Sequence, residues 1–179
     1  LKLNPRHPPA LEEAARAMIQ AESWASLLEL SRAQAQHELA YTGSSAAEKA
    51  QAQLRVGRLL EDRLKEPEQA RRAYEEAMSI APNYRPARDR YERLLHELGD
   101  LDALRVHYRA ELAKEPVTAL PRRRYLFSVL GQLHSNDADP SEAIGLLVAL
   151  LSDAPSHVPS LQLLARLLAK AGRKRELLK

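Results

Sequence analysis

The stretch Ala70–Pro82 has an echo 34 residues further on, at Leu104–Pro116. In the first copy Ala70, Tyr74 and Ala77 lead to Pro82; in the second Leu104, Tyr108 and Glu111 lead to Pro116. Self-similarity at a period of about 20–50 residues constrains architecture more than any other feature. A module that short cannot bury its apolar face alone, so copies must stack on one another.

The register extends along the chain. Pro5, Ala15, Met18 and Leu27 pair with Pro82, Glu92, Leu95 and Leu104 at an offset of 77, and with Pro155, Ala165, Leu168 and Leu177 at 150. Ala143 stands twelve residues before Pro155, as Ala70 does before Pro82. The step is broken only locally, near residues 30–64 and by extra residues at Val117–Arg123.

The module is helical. Ala, Leu, Arg and Glu dominate, aromatic residues are 4% of 179 and β-branched residues are sparse, so an all-α chain is expected. With 45% hydrophobic and 28% charged residues the chain has the makings of a core and is not globally disordered. The net charge of +3 is spread among interleaved acids and bases. Cysteine is absent, which excludes disulfides and thiolate metal sites but does not choose a compartment. Leu1–Pro5 lacks the order of a signal peptide. The longest apolar run, Ala143–Leu151, is far short of the ~20 residues a membrane helix needs, so no membrane insertion is expected.

Spacing and breakers predict the helices. Leu1–Asn4 reads as the last turn of a helix. The next spans Pro9–Ala21, with Leu11, Ala14, Ala15 and Met18 on one face, and a second runs from Trp24 to Ala40. Gly43 is expected to close it in the left-handed conformation, and Ser45 with Glu48 forms a capping box for a helix reaching Leu64. Gly57 on that helix should admit a close neighbour. Pro67–Ala81, Arg85–Leu98 and Leu101–Lys114 follow, the last two hinged at Gly99-Asp100. A helix from Leu120, a turn at Asn136–Asp139 and a helix opened by Pro140 come next. Pro159–Ala171 is closed by Gly172, and a partner helix begins near Lys174. The units are 6–42, 43–82, 83–116, 117–155 and a partial 156–179. They read as one domain, 1–179, cut from a longer array, since both ends fall within a repeat.

Gly57, Leu60, Ala70, Tyr74, Ala77 and Pro82 carry a family likeness, as do Leu95, Gly99-Asp100, Tyr108 and Pro116, and Leu130-Gly131, Ala143 and Pro155. On these residues the chain resembles the tetratricopeptide repeat (TPR) proteins. The resemblance implies an all-α, right-handed superhelical solenoid of antiparallel helix pairs. First helices would line its concave side and second helices its convex side. It also implies a non-catalytic protein–protein interaction module.

No enzyme constellation is present, and no cofactor or metal is expected. Of the six histidines, no two sit four apart with a glutamate between. His7 and His157 occupy equivalent turns, which suits ring packing. His134 with Asp137 and Asp139 could cup a cation, but these carboxylates suit the turn and the start of a helix better.

The binding candidates are arginines. Arg16, Arg93 and Arg166 each stand eleven residues after a repeat proline; Arg58 takes the place with a one-residue slip, and Gln132 takes it in the fourth unit. Repeat geometry would stack them as a concave row suited to a peptide or protein segment bearing Asp or Glu. Glu12, Glu61, Asp62, Asp89 and Glu97 compete for the same guanidinium groups. On the convex side Gly145, Val148, Ala149 and Ser152 form an uncharged stripe where Arg72, Glu75, Glu76 and Ser79 stand in the second unit. This marks either a self-association surface or the default of an Ala-rich helix. Arg122-Arg123-Arg124 and Arg173-Lys174-Arg175 read as surface charge without the interleaved aromatics of single-strand binders, so nucleic acid is not the expected partner. An RNA-binding helical repeat and a self-associating scaffold stand as the alternatives.

Overall fold

A computed structural model describes residues 8–116 and 118–173. The expected turn at Leu1–Asn4 and the helix beginning near Lys174 lie outside the described residues. Within them the chain forms nine α-helices and no strand. They are α1 (Pro8–Gln20), α2 (Trp24–Ala40), α3 (Ala46–Leu59), α4 (Pro67–Ile80), α5 (Arg85–Leu98), α6 (Leu101–Lys114), α7 (Leu120–His134), α8 (Ser141–Asp153) and α9 (Val158–Lys170). A π-helical turn, Leu60–Leu64, ends α3. The boundaries lie within a residue or two of those predicted by spacing and breakers. Contacts among the helices divide the chain into two compact units, Leu1–Leu98 and Gly99–Lys179.

In the first unit α1 packs on α2, α2 on α3, α3 on α4 and α4 on α5, and α3 also reaches α5. Ala70, Ala73, Tyr74 and Ala77 are buried on α4 at the i, i+3, i+4, i+7 spacing of a single face. Opposite them Ala50, Leu54 and Gly57 are buried on α3. A methyl group on Gly57 would lie 2.7 Å from Cδ1 of the Tyr74 ring, so the approach of α4 requires glycine there. Ser45 caps α3 as expected: its hydroxyl accepts from the Glu48 amide at 3.2 Å, and the Glu48 carboxylate accepts from the Ser45 amide at 2.7 Å.

In the second unit α6 packs on α7, α7 on α8 and α8 on α9. Ala143, Ile144 and Leu147 of α8 meet Leu167 and Leu168 of α9, with Leu163 and Leu164 along the edge. Gly131 repeats the role of Gly57 with an aliphatic partner, since a methyl group there would come within 2.9 Å of Leu147.

Gly43 corrects one expectation. Helix α2 ends at Tyr41 in extended backbone (φ −80, ψ 120), and Gly43 is not left-handed. It supplies space instead: a methyl group there would sit 2.6 Å from the Tyr41 ring. Left-handed backbone falls at Glu22 (φ 51), Lys65 (φ 57), Gly99 and Gly172. Pro140 precedes α8 rather than opening it.

Candidate functional site

In the first unit a groove of about 660 Å³ lies among α1, α2 and α3. Leu11, Ala15, Leu27, Leu30 and Leu59 form its apolar floor, and Ile19, 49% exposed, stands at its mouth. Trp24, the first residue of α2, forms part of the wall. The Arg63 guanidinium lies 4.6 Å from the centre of the Trp24 ring, a cation–π arrangement. Arg63 belongs to the π turn, where the helix widens by a residue before the chain reverses at left-handed Lys65.

The same turn sets the charges beside the groove. Glu61 points inward, its side chain 9% exposed. It accepts hydrogen bonds from the Tyr74 hydroxyl and from Arg90 and Arg93. Burial pushes its carboxyl up, but the bonds from Tyr74 and Arg93 and the charges of Arg93 and Arg90 outweigh that and hold it below the ordinary value. Burial, then the bond to Glu61, pushes the Tyr74 hydroxyl far up, so Tyr74 remains a donor. Asp62, on the groove rim, pairs with Arg90 at 3.2 Å.

The arginines singled out by spacing differ in how free they are. Arg93 is held by Glu61 at 2.5 Å and Glu97 at 3.3 Å. Arg16 pairs with Glu12 at 3.7 Å, both well exposed, an interaction worth little in water. Arg58 lines the groove, exposed and without a hydrogen-bond or ion-pair partner among the described residues. Arg55, one helical turn earlier on the same rim, has none either; the spacing argument missed it because it is not at the repeat position. In the second unit Gln132 and Arg166 are exposed on α7 and α9. Gly145, Val148 and Ser152 are exposed on α8, with Ala149 half-buried.

The second unit holds a polar cluster of which the sequence offered His134 and Asp137, while Arg105, Arg109 and Glu142 join only through the packing of helices. His134, at the end of α7, is 4% exposed. Its Nδ1 lies 2.7 Å from the Asp137 carboxylate and its Nε2 3.1 Å from Arg109 Nη2. Arg109 also pairs with Glu142, and Arg105 donates to Asp137 at 2.6 Å and to the Leu133 carbonyl at 2.7 Å. The hydrogen bond from His134, more than the Arg105 charge, holds the Asp137 carboxyl below its usual range. Asp139 accepts from the Ser141 amide at 2.9 Å and so serves the start of α8. His157 Nδ1 lies 2.8 Å from the Ser160 hydroxyl.

The arginine triplet is also structural rather than free surface charge. Arg122 pairs with Glu111 at 3.5 Å and lies 5.1 Å from the Tyr125 ring centre. Arg123 donates to the Glu115 carbonyl at 3.1 Å, and Arg124 donates to the Asp153 carbonyl. All three are half-buried. Among the described residues no helix is long and apolar enough to cross a membrane.

No protein-family model and no curated protein sequence matches the chain. Solved structures do. MamA (41-end) from Desulfovibrio magneticus RS-1, a TPR-like repeat protein, is 15% identical over 94% of this chain and 88% of its own, with a TM-score of 0.51. TTC0263, a thermophilic TPR protein of Thermus thermophilus, is 24% identical over 94% of this chain and 85% of its own, with a TM-score of 0.43. At 15% identity the likeness to MamA speaks for fold alone, and that fold is the all-α, tetratricopeptide-like helical repeat that the resemblance carried by Gly57, Ala70, Tyr74 and Pro82 implied.

Proposed function

We propose that the chain is a non-catalytic protein–protein interaction module that takes a peptide or protein segment in the groove among α1, α2 and α3. The observation that carries this reading is the groove itself: an apolar floor of about 660 Å³ already formed in the free chain, with Arg58 unpartnered among the described residues at its rim. A preformed site lowers the ordering cost that otherwise opposes association. Arg16 and Arg93 stand outside the groove lining in the same unit, engaged by Glu12 and by Glu61 and Glu97, and Gln132 and Arg166 are the corresponding polar positions in the second. An arginine fork favours segments bearing Asp or Glu.

Displayed random peptides selected on the chain test the reading, with affinity remeasured on Arg58→Glu and Arg93→Glu. Groove-binding acidic peptides weaken on Arg58→Glu without loss of fold and become less sensitive to salt. Arg93→Glu weakens them too, but it also opposes Glu61 and lowers stability. Unchanged affinity on Arg58→Glu, or failure to recover any peptide that competes for the groove, would remove the proposal.

The exposed face of α8 supports a second reading, self-association. Val148 is 49% exposed and a methyl group on Gly145 would meet nothing within 4 Å. If copies join there, Val148→Glu lowers the solution mass measured by light scattering; equal masses exclude the face.

A further inference from the structure

The charges around the groove of the first unit define its guest. Each acid on the rim has a partner within the chain, a guanidinium for Glu12 and Asp62 and a neutral hydroxyl, which leaves the charge in place, for Glu38. Glu12 pairs with Arg16 at 3.7 Å, Glu38 accepts from the Ser44 hydroxyl, and Asp62 pairs with Arg90 at 3.2 Å. Arg63 lies against Trp24. Arg55 and Arg58 differ: they stand one helical turn apart on α3, both exposed, both on the groove, and neither has a partner among the described residues. An entering group therefore meets an apolar floor beside two guanidinium groups that no carboxylate neutralises. Residues three apart on a helix present their side chains side by side.

We propose that the occupant is an amphipathic helical segment of another protein. Leucine-like side chains on one face fill the floor formed by Leu11, Ala15, Leu27, Leu30 and Leu59, and Asp or Glu side chains a turn apart meet Arg55 and Arg58. The inference rests on the protein-binding reading above and adds the chemistry of the partner. The volume lies within the range of about 300–1,000 Å³ typical of pockets for compact ligands, room for a few side chains rather than a whole helix. The body of the partner helix then lies across the mouth, where Ile19 is open, with its anchors inserted. Each carboxylate brought to Arg55 or Arg58 gains a bidentate donor without displacing a pair inside the chain. A nucleic acid strand would satisfy the arginines and leave the leucine floor uncovered, so the floor favours protein.

Trp24 is the chain's one tryptophan and forms part of the wall, so its emission reports occupancy directly. Two synthetic helical peptides of about 16 residues serve as probes. Both carry Leu at i, i+3, i+4 and i+7; one has Glu and the other Lys at the flanking positions. The Glu peptide should shift Trp24 emission and bind about tenfold more tightly than the Lys peptide. An Arg55→Glu, Arg58→Glu double variant, its fold checked by circular dichroism, should reverse that preference. A Glu peptide with Ser in place of Leu should lose binding.

Equal binding of the Glu and Lys peptides, no reversal in the double variant, or full binding of the Ser peptide would each overturn the inference. So would an oligonucleotide that displaces the Glu peptide with equal or greater affinity. If neither designed peptide binds while peptides selected from the random pool still shift Trp24 emission, the partner chemistry proposed here falls and the protein-binding reading stands. If no peptide of any kind shifts it, both fall.

Discussion

Tyr74 lays its ring across the bare backbone of Gly57, where any side chain on Gly57 would overlap it. The ring is fully buried, so a side chain on Gly57 has nowhere to displace it. Gly57→Ala should destabilise the chain by about 1–3 kcal/mol, the cost of overpacking a close-packed site. Urea unfolding measures it. A Gly57→Ala, Tyr74→Leu double variant should lose less than the sum of the two single changes, because the smaller partner relieves the overlap. Additive losses would mean that the two residues do not share this space.

The Tyr74 hydroxyl extends the contact to Glu61, whose carboxyl is held below 4.5 in the folded chain. The unfolded chain binds that proton more readily than the folded one. The contribution of Glu61 is therefore present above about pH 4.5 and is lost as pH falls through the lower, folded value. Glu61→Gln should cost about 1–2 kcal/mol near neutral pH, because Arg90 and Arg93 lose a charged acceptor. It should also flatten the fall of stability between neutral and strongly acidic pH. Denaturant midpoints taken across that range check both. An acid limb identical to that of the unaltered chain would show that Glu61 contributes nothing to it.

Lys65 ends the π turn in left-handed backbone, with φ 57. A lysine side chain crowds the following carbonyl in that conformation, and glycine does not. Lys65→Gly should stabilise the chain by about 0.5–1 kcal/mol, the relief of strain exceeding the added freedom of the unfolded state. Thermal unfolding shows the sign. A loss of similar size would mean that the lysine stem makes packing contacts that outweigh the strain.

His134 joins α6, α7 and α8 through Arg109, its own backbone and the turn at Asp137. Its replacement by alanine leaves Asp137 and Arg109 without that partner and should cost about 2 kcal/mol. His134→Asn places an amide hydrogen near the position of the Nδ1 donor and should recover part of the loss. Equal losses for the two variants would place the role of His134 in ring packing alone.

Local chemistry placed the helix ends. Ser45 with Glu48, the prolines at 67, 82 and 116, and Gly172 act on the residues beside them, and all were readable before any contact was known. The small residues Gly57 and Gly131 were readable too, because a repeat period tells which positions face a neighbour. Gly43 was misread since the same residue serves either a left-handed turn or a crowded ring, and only the position of Tyr41 distinguishes the two.

The sequence by itself determined an all-α repeat, the order and limits of its helices, and the positions where helices approach closely, because periodicity and caps are properties of neighbouring residues. Only the tertiary structure decided which charges are free. Arg93 meets Glu61 across 32 residues of chain, Arg124 donates to a carbonyl 29 residues away, and Arg55 and Arg58 meet no acid among the described residues. Pairing between residues so distant depends on how helices pack and on one π turn that resets the direction of Glu61, Asp62 and Arg63, and neither is written in the spacing of any one repeat.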